Sequence, residues 1–244
     1  MELTFDEEAY PISPVSQRLY TFPDPKSASS EGLLAYGGDL SPRRLLAAYS
    51  KGIFPWYSEG DPILWWSPDP RMLLYPNAFR TSKSFARTLR SGKFQVTFDT
   101  VFQEVIQYCS WVPRAGQSGT WLNQEMQEAY IALHDRGFAH SVEVWKGGTL
   151  VGGLYGIAMG KIFFGESMFS LLSDTSKVAF RALSDVLGAK GYDFIDCQMK
   201  TEHLSRLGAV EVARDSYLCQ LERSLMRPGD IGKWHDFHWN YEEE

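Results

Sequence analysis

Residues 53–74 read IFPWYSEGDPILWWSPDPRMLL. Proline fixes φ near about −65° and donates no backbone N–H. A stretch carrying Pro55, Pro62, Pro68 and Pro70, with Pro76 just beyond, therefore excludes a helix and is not expected to supply a central strand. Trp56, Trp65 and Trp66 fall within it. Trp56, between Pro55 and Tyr57, is placed in a loop, where an indole can project into a cleft. The segment closes a small N-terminal domain over residues 1–75, and a larger domain over 76–244 follows.

The chain can build a core of that size. Of its 244 residues 44% are hydrophobic and 22% charged, which offsets the ordering entropy and excludes disorder as the dominant state. No run of about 18 apolar residues is present to span a bilayer. The start carries Glu2, Asp6, Glu7 and Glu8 where a secretory signal needs a basic and then an apolar stretch, so a cytoplasmic location is expected. Cys109, Cys197 and Cys219 are widely spaced and form no CxxC pair, which suggests neither a disulfide framework nor a zinc cage. A net charge of −6 argues against binding nucleic acid over the whole surface. Local attraction is another matter: from Arg71 to Phe98 the only charged residues are Arg71, Arg80, Lys83, Arg87, Arg90 and Lys93. That block is either a solvated face or a dock for something anionic.

The first thirty residues, rich in Pro and Ser, are expected to be irregular. Ser41-Pro42 caps a helix that stops at Gly52. A helix over 78–89 would place Arg80, Lys83, Arg87 and Arg90 within an arc of about 80°, opposite Phe79, Phe85, Ala86 and Leu89. Further helices are expected over 100–109 and 122–136, then strands over 139–146, 149–159 and 161–166. Gly147-Gly148 and Gly160 turn these strands as hairpins. A helix over 176–187, a strand over 194–199, a short helix over 203–207 and a strand over 210–221 complete the chain. The fold class is α/β with a mixed (α+β) sheet. Hairpin strands, a helix, a strand, a helix and a closing strand form the order expected of an N-acetyltransferase-like (GNAT) domain.

Alternation along 194–199 puts Phe194, Asp196 and Gln198 on one face and Ile195, Cys197 and Met199 on the other. Asp196 would then accept from the Gln198 amide and aim its carbonyl oxygen at a donor such as an amine. The alternative is an ordinary exposed polar face. Glu166 sits in the apolar run Phe163-Phe164-Gly165-Glu166-Ser167-Met168-Phe169. It must meet a partner there, either a structural arginine or a ligand. Trp121, after the turn Gly116-Gln117-Ser118-Gly119, joins Trp56 as a ring on which a base could stack. His203 reads as a cap or packing residue and is left out of the catalytic set.

The blocks GGDLSPRRLLAAYSKGIFPWY, DPILWWSPDPR, GTWL, FFGESMFS, FIDCQM and TEHLSRLGA closely resemble the bacterial leucyl/phenylalanyl-tRNA-protein transferases, in that family's order, from about Gly32 to Leu221. The resemblance implies transfer of Leu or Phe from aminoacyl-tRNA to proteins beginning with Arg or Lys, marking them for degradation. It implies that Trp56 and Trp121 hold the terminal adenosine, that Glu166 contacts the sugar or aminoacyl end, and that Asp196 and Gln198 form the catalytic pair. Phe163, Met168 and Ile195, with Leu183 and Leu187 one turn apart, would line the aminoacyl pocket. The basic face would carry the tRNA backbone. One departure stands out: Leu171-Leu172 follow FFGESMFS, where the family often has a basic residue, so the resemblance does not carry over a phosphate or acceptor contact at that point.

The implied reaction is aminolysis of an ester, which asks for positioning, oxyanion stabilisation and removal of one proton. No metal or nucleotide cofactor is called for, and a monomer without membrane attachment is expected. Two rival readings make different demands on the sequence. An acyl-CoA-dependent acyltransferase would show a glycine loop before the central helix, and residues 170–177, SLLSDTSK, have no glycine. A noncatalytic RNA-binding module would bind through the tryptophans and the basic face without turnover.

Overall fold

The structure is a computed structural model that describes residues 13–14, 20–112 and 122–241. In the N-terminal part the backbone turns at Gly37 and Gly38, both with positive φ, into α1 (Pro42–Tyr49). Around α1 lie β1 (Ser13–Pro14), β2 (Leu33–Tyr36), β3 (Phe54–Pro55) and β4 (Leu64–Trp66), in the order β1-β2-β4-β3. The short strand β1 and a 3-10 turn at Pro25–Ser27 stand where no regular structure was expected. The expectation of no central strand in the proline-rich segment also fails, because β4 lies between β2 and β3. The prolines punctuate rather than fill it. Pro62, Pro68 and Pro70 lie between strands, and Pro55 sits on the edge strand opposite Trp65. Trp65 and Trp66 are buried, and their indole N–H groups donate to the Gly37 and Trp56 carbonyls.

The larger sheet comprises β5 (Arg71–Leu74), β6 (Gln95–Phe98), β7 (Ala139–Lys146), β8 (Thr149–Met159), β9 (Ile162–Ser170), β10 (Phe194–Asp196) and β11 (Val210–Val212). Its order is β11-β5-β10-β9-β8-β7-β6; β9 and β10 run parallel and every other pair antiparallel. The sheet is mixed, and the passage from antiparallel hairpins through α5 (Thr175–Ala189) to a parallel β10 is the order of elements expected from the sequence. Alternation divides the core between its two faces. Tyr155, Phe164 and Phe194 meet α1, α3 (Phe102–Trp111), α4 (Gln124–His134) and α7 (Arg214–Leu225). Leu154, Phe163 and Ile195 meet α2 (Lys83–Arg90), α5 and the C-terminal segment around Trp234.

Three expected elements change. The basic helix is shorter, because the Ser82 side chain accepts from Phe85 N and sets the start of α2 at Lys83. Arg80 therefore precedes the helix. The strand expected over 194–199 ends at Asp196, followed by α6 (Glu202–Arg206). The strand expected over 210–221 is β11 and then α7. Tyr217, Leu221 and Ser224 are the buried residues of α7, a helical spacing rather than the alternation of a strand. Among the described residues no helix is long and apolar enough to cross a membrane.

Candidate active site

β10 pairs with β9 through Ile195↔Phe163 and Asp196↔Phe164, then stops, while β9 continues to Ser170. Beyond this point one edge of β9 is released, which is where parallel strands commonly open a crevice beyond their carboxyl ends. A cavity of about 730 Å³ occupies it. Leu154, Phe163, Met168, Phe180, Leu183 and Ile195 form the apolar wall, and Glu166, Gln198, Thr201 and His203 supply polar groups.

Glu166 reaches the cavity through a bulge. Tyr155 pairs with Ser167 and Gly156 with Gly165, so two successive residues of β8 face three of β9 and Glu166 is the extra one. A bulge turns a side chain out of the regular alternation. Gly156 makes it possible: a Cβ there would collide with the Phe164 carbonyl oxygen.

The Glu166 carboxylate is held by neutral donors rather than by an arginine. Tyr49 of α1 donates to Oε1 (2.7 Å), Tyr130 of α4 to Oε2 (2.8 Å) and the Gln198 Nε2 to Oε1 (2.9 Å). The two phenol oxygens are themselves 2.8 Å apart. Burial pushes the Glu166 carboxyl up to about 7, against the pull of the two tyrosine hydrogen bonds; the Asp196 charge adds to the rise and Arg71 opposes it. The same burial, with Glu166 beside them, raises both tyrosines well above their ordinary range, so they remain donors. His203 is held below the usual histidine value by burial and then by Lys177 and Arg206.

Asp196 and Gln198 do not project together into the cavity, as strand alternation had implied. The strand ends between them, and Gln198 adopts a left-handed backbone (φ 62°), which reverses the alternation. Asp196 is fully buried behind the wall, where Arg71 grips it with Nε on Oδ1 and Nη2 on Oδ2, both at 2.8 Å. Tyr217 donates to Oδ2 (2.7 Å), and the Gln198 backbone N–H donates to Oδ1 (2.9 Å). The side-chain bond expected between the pair is thus a side-chain-to-backbone bond, an Asx turn. It fixes the strained Gln198 backbone, while the carboxamide turns to Glu166.

Of the other expected site residues, Phe163, Met168, Ile195 and Leu183 line the cavity, whereas Leu187 lies deeper, in the core of α5. Trp56 is half-buried on the cavity wall, tilted 59° against Trp66 at 5.6 Å. Trp121 lies outside the described residues. Arg80, Lys83, Arg87 and Arg90 are all exposed, and Phe85 and Leu89 pack inward, so one side of this segment is cationic. Arg71, counted with them from its place in the sequence, is the buried partner of Asp196 instead. Sequence reasoning missed Arg71, Tyr49, Tyr130 and Tyr217 as site residues. The available signal was that Arg71 follows Pro70 into an apolar strand, where a cation requires a carboxylate.

The family model described as Leucyl/phenylalanyl-tRNA protein transferase matches residues 73–222, and that of its N-terminal domain matches 38–69. A leucyl/phenylalanyl-tRNA–protein transferase of Myxococcus xanthus is 54% identical over 87% of this chain and 91% of its own length. Another of the same name, from Desulfatibacillum aliphaticivorans, is 53% identical over 92% and 96%. Among solved structures, a GCN5-related N-acetyltransferase from Kribbella flavida aligns at TM-score 0.29 and 13% identity over 69% of this chain and 60% of its own.

Proposed function

The chain belongs to the leucyl/phenylalanyl-tRNA protein transferase family, and from that membership we propose how this cavity moves an aminoacyl group from tRNA to the amino terminus of an acceptor protein. The donors are Leu-tRNA and Phe-tRNA, the acceptors are proteins beginning with Arg or Lys, and the chain works as a cytoplasmic monomer. The observation that carries the reading is an apolar hollow of about 730 Å³, with room for an aminoacyl side chain and the nucleoside that carries it, beside the Glu166–Gln198 polar cluster. Leu and Phe fill such a wall, and a charged side chain would lose its hydration there. Trp56, with Trp121, stacks the terminal adenosine.

The neutral α-amine attacks the ester carbonyl carbon and the ribose 3′-oxygen leaves. Most of the acceleration comes from holding the two partners together. Gln198, having given its N–H to Glu166, offers its carbonyl oxygen to the amine. Asp196 acts through Gln198 by pinning its backbone.

Competition among labelled Leu-tRNA, Phe-tRNA and acetyl-CoA for an Arg-initiated peptide tests this reading. Transfer from both charged tRNAs and none from acetyl-CoA is expected; acetyl transfer, or tRNA binding without transfer, overturns it. Neutralising Arg80, Lys83, Arg87 and Arg90 should lower the slope of log K against log salt by about 3. An unchanged slope would make that segment a solvated surface only.

A further inference from the structure

Building on the transferase reading, we propose that Glu166 takes the proton from the attacking α-amine and returns it to the departing 3′-oxygen, while Asp196 is a positioning residue. Counting hydrogen bonds separates the two carboxylates. A carboxylate has about four lone-pair sites. In Asp196 all of them are used: Arg71 Nε and the Gln198 N–H on Oδ1, Arg71 Nη2 and the Tyr217 hydroxyl on Oδ2. It is also fully buried and off the cavity wall. Nothing on it is left to receive a proton from a substrate.

Glu166 differs at one atom. Among the described residues Oε1 accepts from Tyr49 and from Gln198 but Oε2 accepts only from Tyr130, which leaves a lone pair on a carboxylate that lines the cavity. Gln198 ties the two functions together, because its Nε2 is bound to Glu166 and its carbonyl oxygen is the acceptor for the amine. An amine held by that carbonyl stands beside the base that deprotonates it. In the step itself the nitrogen lone pair forms the C–N bond and the carbonyl π pair moves to oxygen. The surplus N–H proton passes to Glu166 Oε2. As the oxyanion collapses, the C–O3′ bond breaks and the oxygen collects that proton from the Glu166 carboxylic acid. The peptide bond and a free ribose hydroxyl result, and Glu166 is restored. No other reactant enters.

The groups facing Glu166 are Tyr49 from α1, Tyr130 from α4, Gln198 after β10, and the Arg71–Asp196 pair behind it, with Tyr155 of β8 next to the tyrosines. Burial puts the Glu166 carboxyl near 7, a suitable value for a base that must also act as an acid close to neutral pH.

The test is the single-turnover transfer rate as a function of pH, with Leu-tRNA and an Arg-initiated peptide. The α-amine titrates identically with every variant, so differences between variants report the enzyme. Glu166→Gln should lower the rate on the order of 10²- to 10⁴-fold with tRNA affinity kept within about threefold, and should lose the enzyme's rising limb. Tyr130→Phe removes the donor on Oε2, favours the protonated form and should shift that limb to higher pH while transfer continues. Thermal melting confirms that each variant is folded, and Tyr130→Phe decides the question if Glu166→Gln is not. Near-normal turnover in Glu166→Gln, an unmoved limb in Tyr130→Phe, or a rate loss matched by an equal loss of tRNA affinity overturns the proposal. Failure of the unaltered chain to transfer either amino acid is a different result: it overturns the transferase reading and the proposal with it.

Discussion

Arg71→Met is expected to remove about 3–5 kcal/mol of folding stability and nearly all transfer activity. Arg71 and Asp196 are both fully buried and joined by two 2.8 Å hydrogen bonds. The guanidinium also lies over the Phe54 and Tyr217 rings, with centroids 4.8 and 4.7 Å away. Removing the cation leaves the Asp196 charge without its ionic partner in a dry site, with Tyr217 and one backbone N–H as its remaining donors. Arg71 is not fully satisfied even now, since its Nη1 is buried without a hydrogen-bond partner among the described residues. A buried ion pair of this kind is weak evidence of net stability, because an apolar pair of the same volume often folds as well. The double variant Arg71→Met with Asp196→Leu should therefore recover much of the urea midpoint. It should not recover transfer, because the Gln198 backbone N–H has then lost the oxygen that holds its left-handed turn. Recovery of both would show that the pair serves stability alone; a loss under 1 kcal/mol in Arg71→Met would show that it does not even serve that.

How much of this was legible beforehand depends on the range of the determining interaction. Strands β7 and β8 carry their own signals, glycine turns and long apolar runs, and their bounds agree with the expected ones. The apolar cavity wall was also readable, because Phe163, Met168, Leu183 and Ile195 sit on elements that periodicity identifies. Leu187 obeys the same periodicity and still misses the cavity, since spacing gives the face of a helix but not its depth. The polar centre was not readable from alternation at all. A bulge moved Glu166, and a positive φ moved Gln198; each breaks the period-two rule by one residue. Tyr49 and Tyr130 lie 117 and 36 positions from Glu166 in the sequence, so nothing local marks them as its donors. What could have been suspected was the bulge itself, from Gly156 in one strand and Gly165 in the next.

Trp234→Ala is the second large effect, about 3–5 kcal/mol, and it should act on the pocket from behind. Trp234 is 1% exposed. Its ring stacks on His140 at 3.7 Å and on Phe237 at 5.0 Å, its backbone N–H donates to Asp99, and its indole N–H donates to the Asp230 carbonyl. It therefore fastens the C-terminal segment to the face of the sheet opposite α1, α3 and α4. It also lies 5.9 Å from the ring of Phe163, which itself lines the cavity. Truncation leaves Phe163 braced on one side only, and a loosened wall holds an apolar side chain less well without touching Glu166 or Gln198. KM for Leu-tRNA and Phe-tRNA should rise several-fold while kcat changes little, because the groups around the ester are unmoved. Urea unfolding at a temperature where the variant is still folded gives the first number, and steady-state transfer gives the second. A variant with an unshifted midpoint would remove the C-terminal segment from the core, and a fall in kcat with KM unchanged would separate Trp234 from the pocket wall.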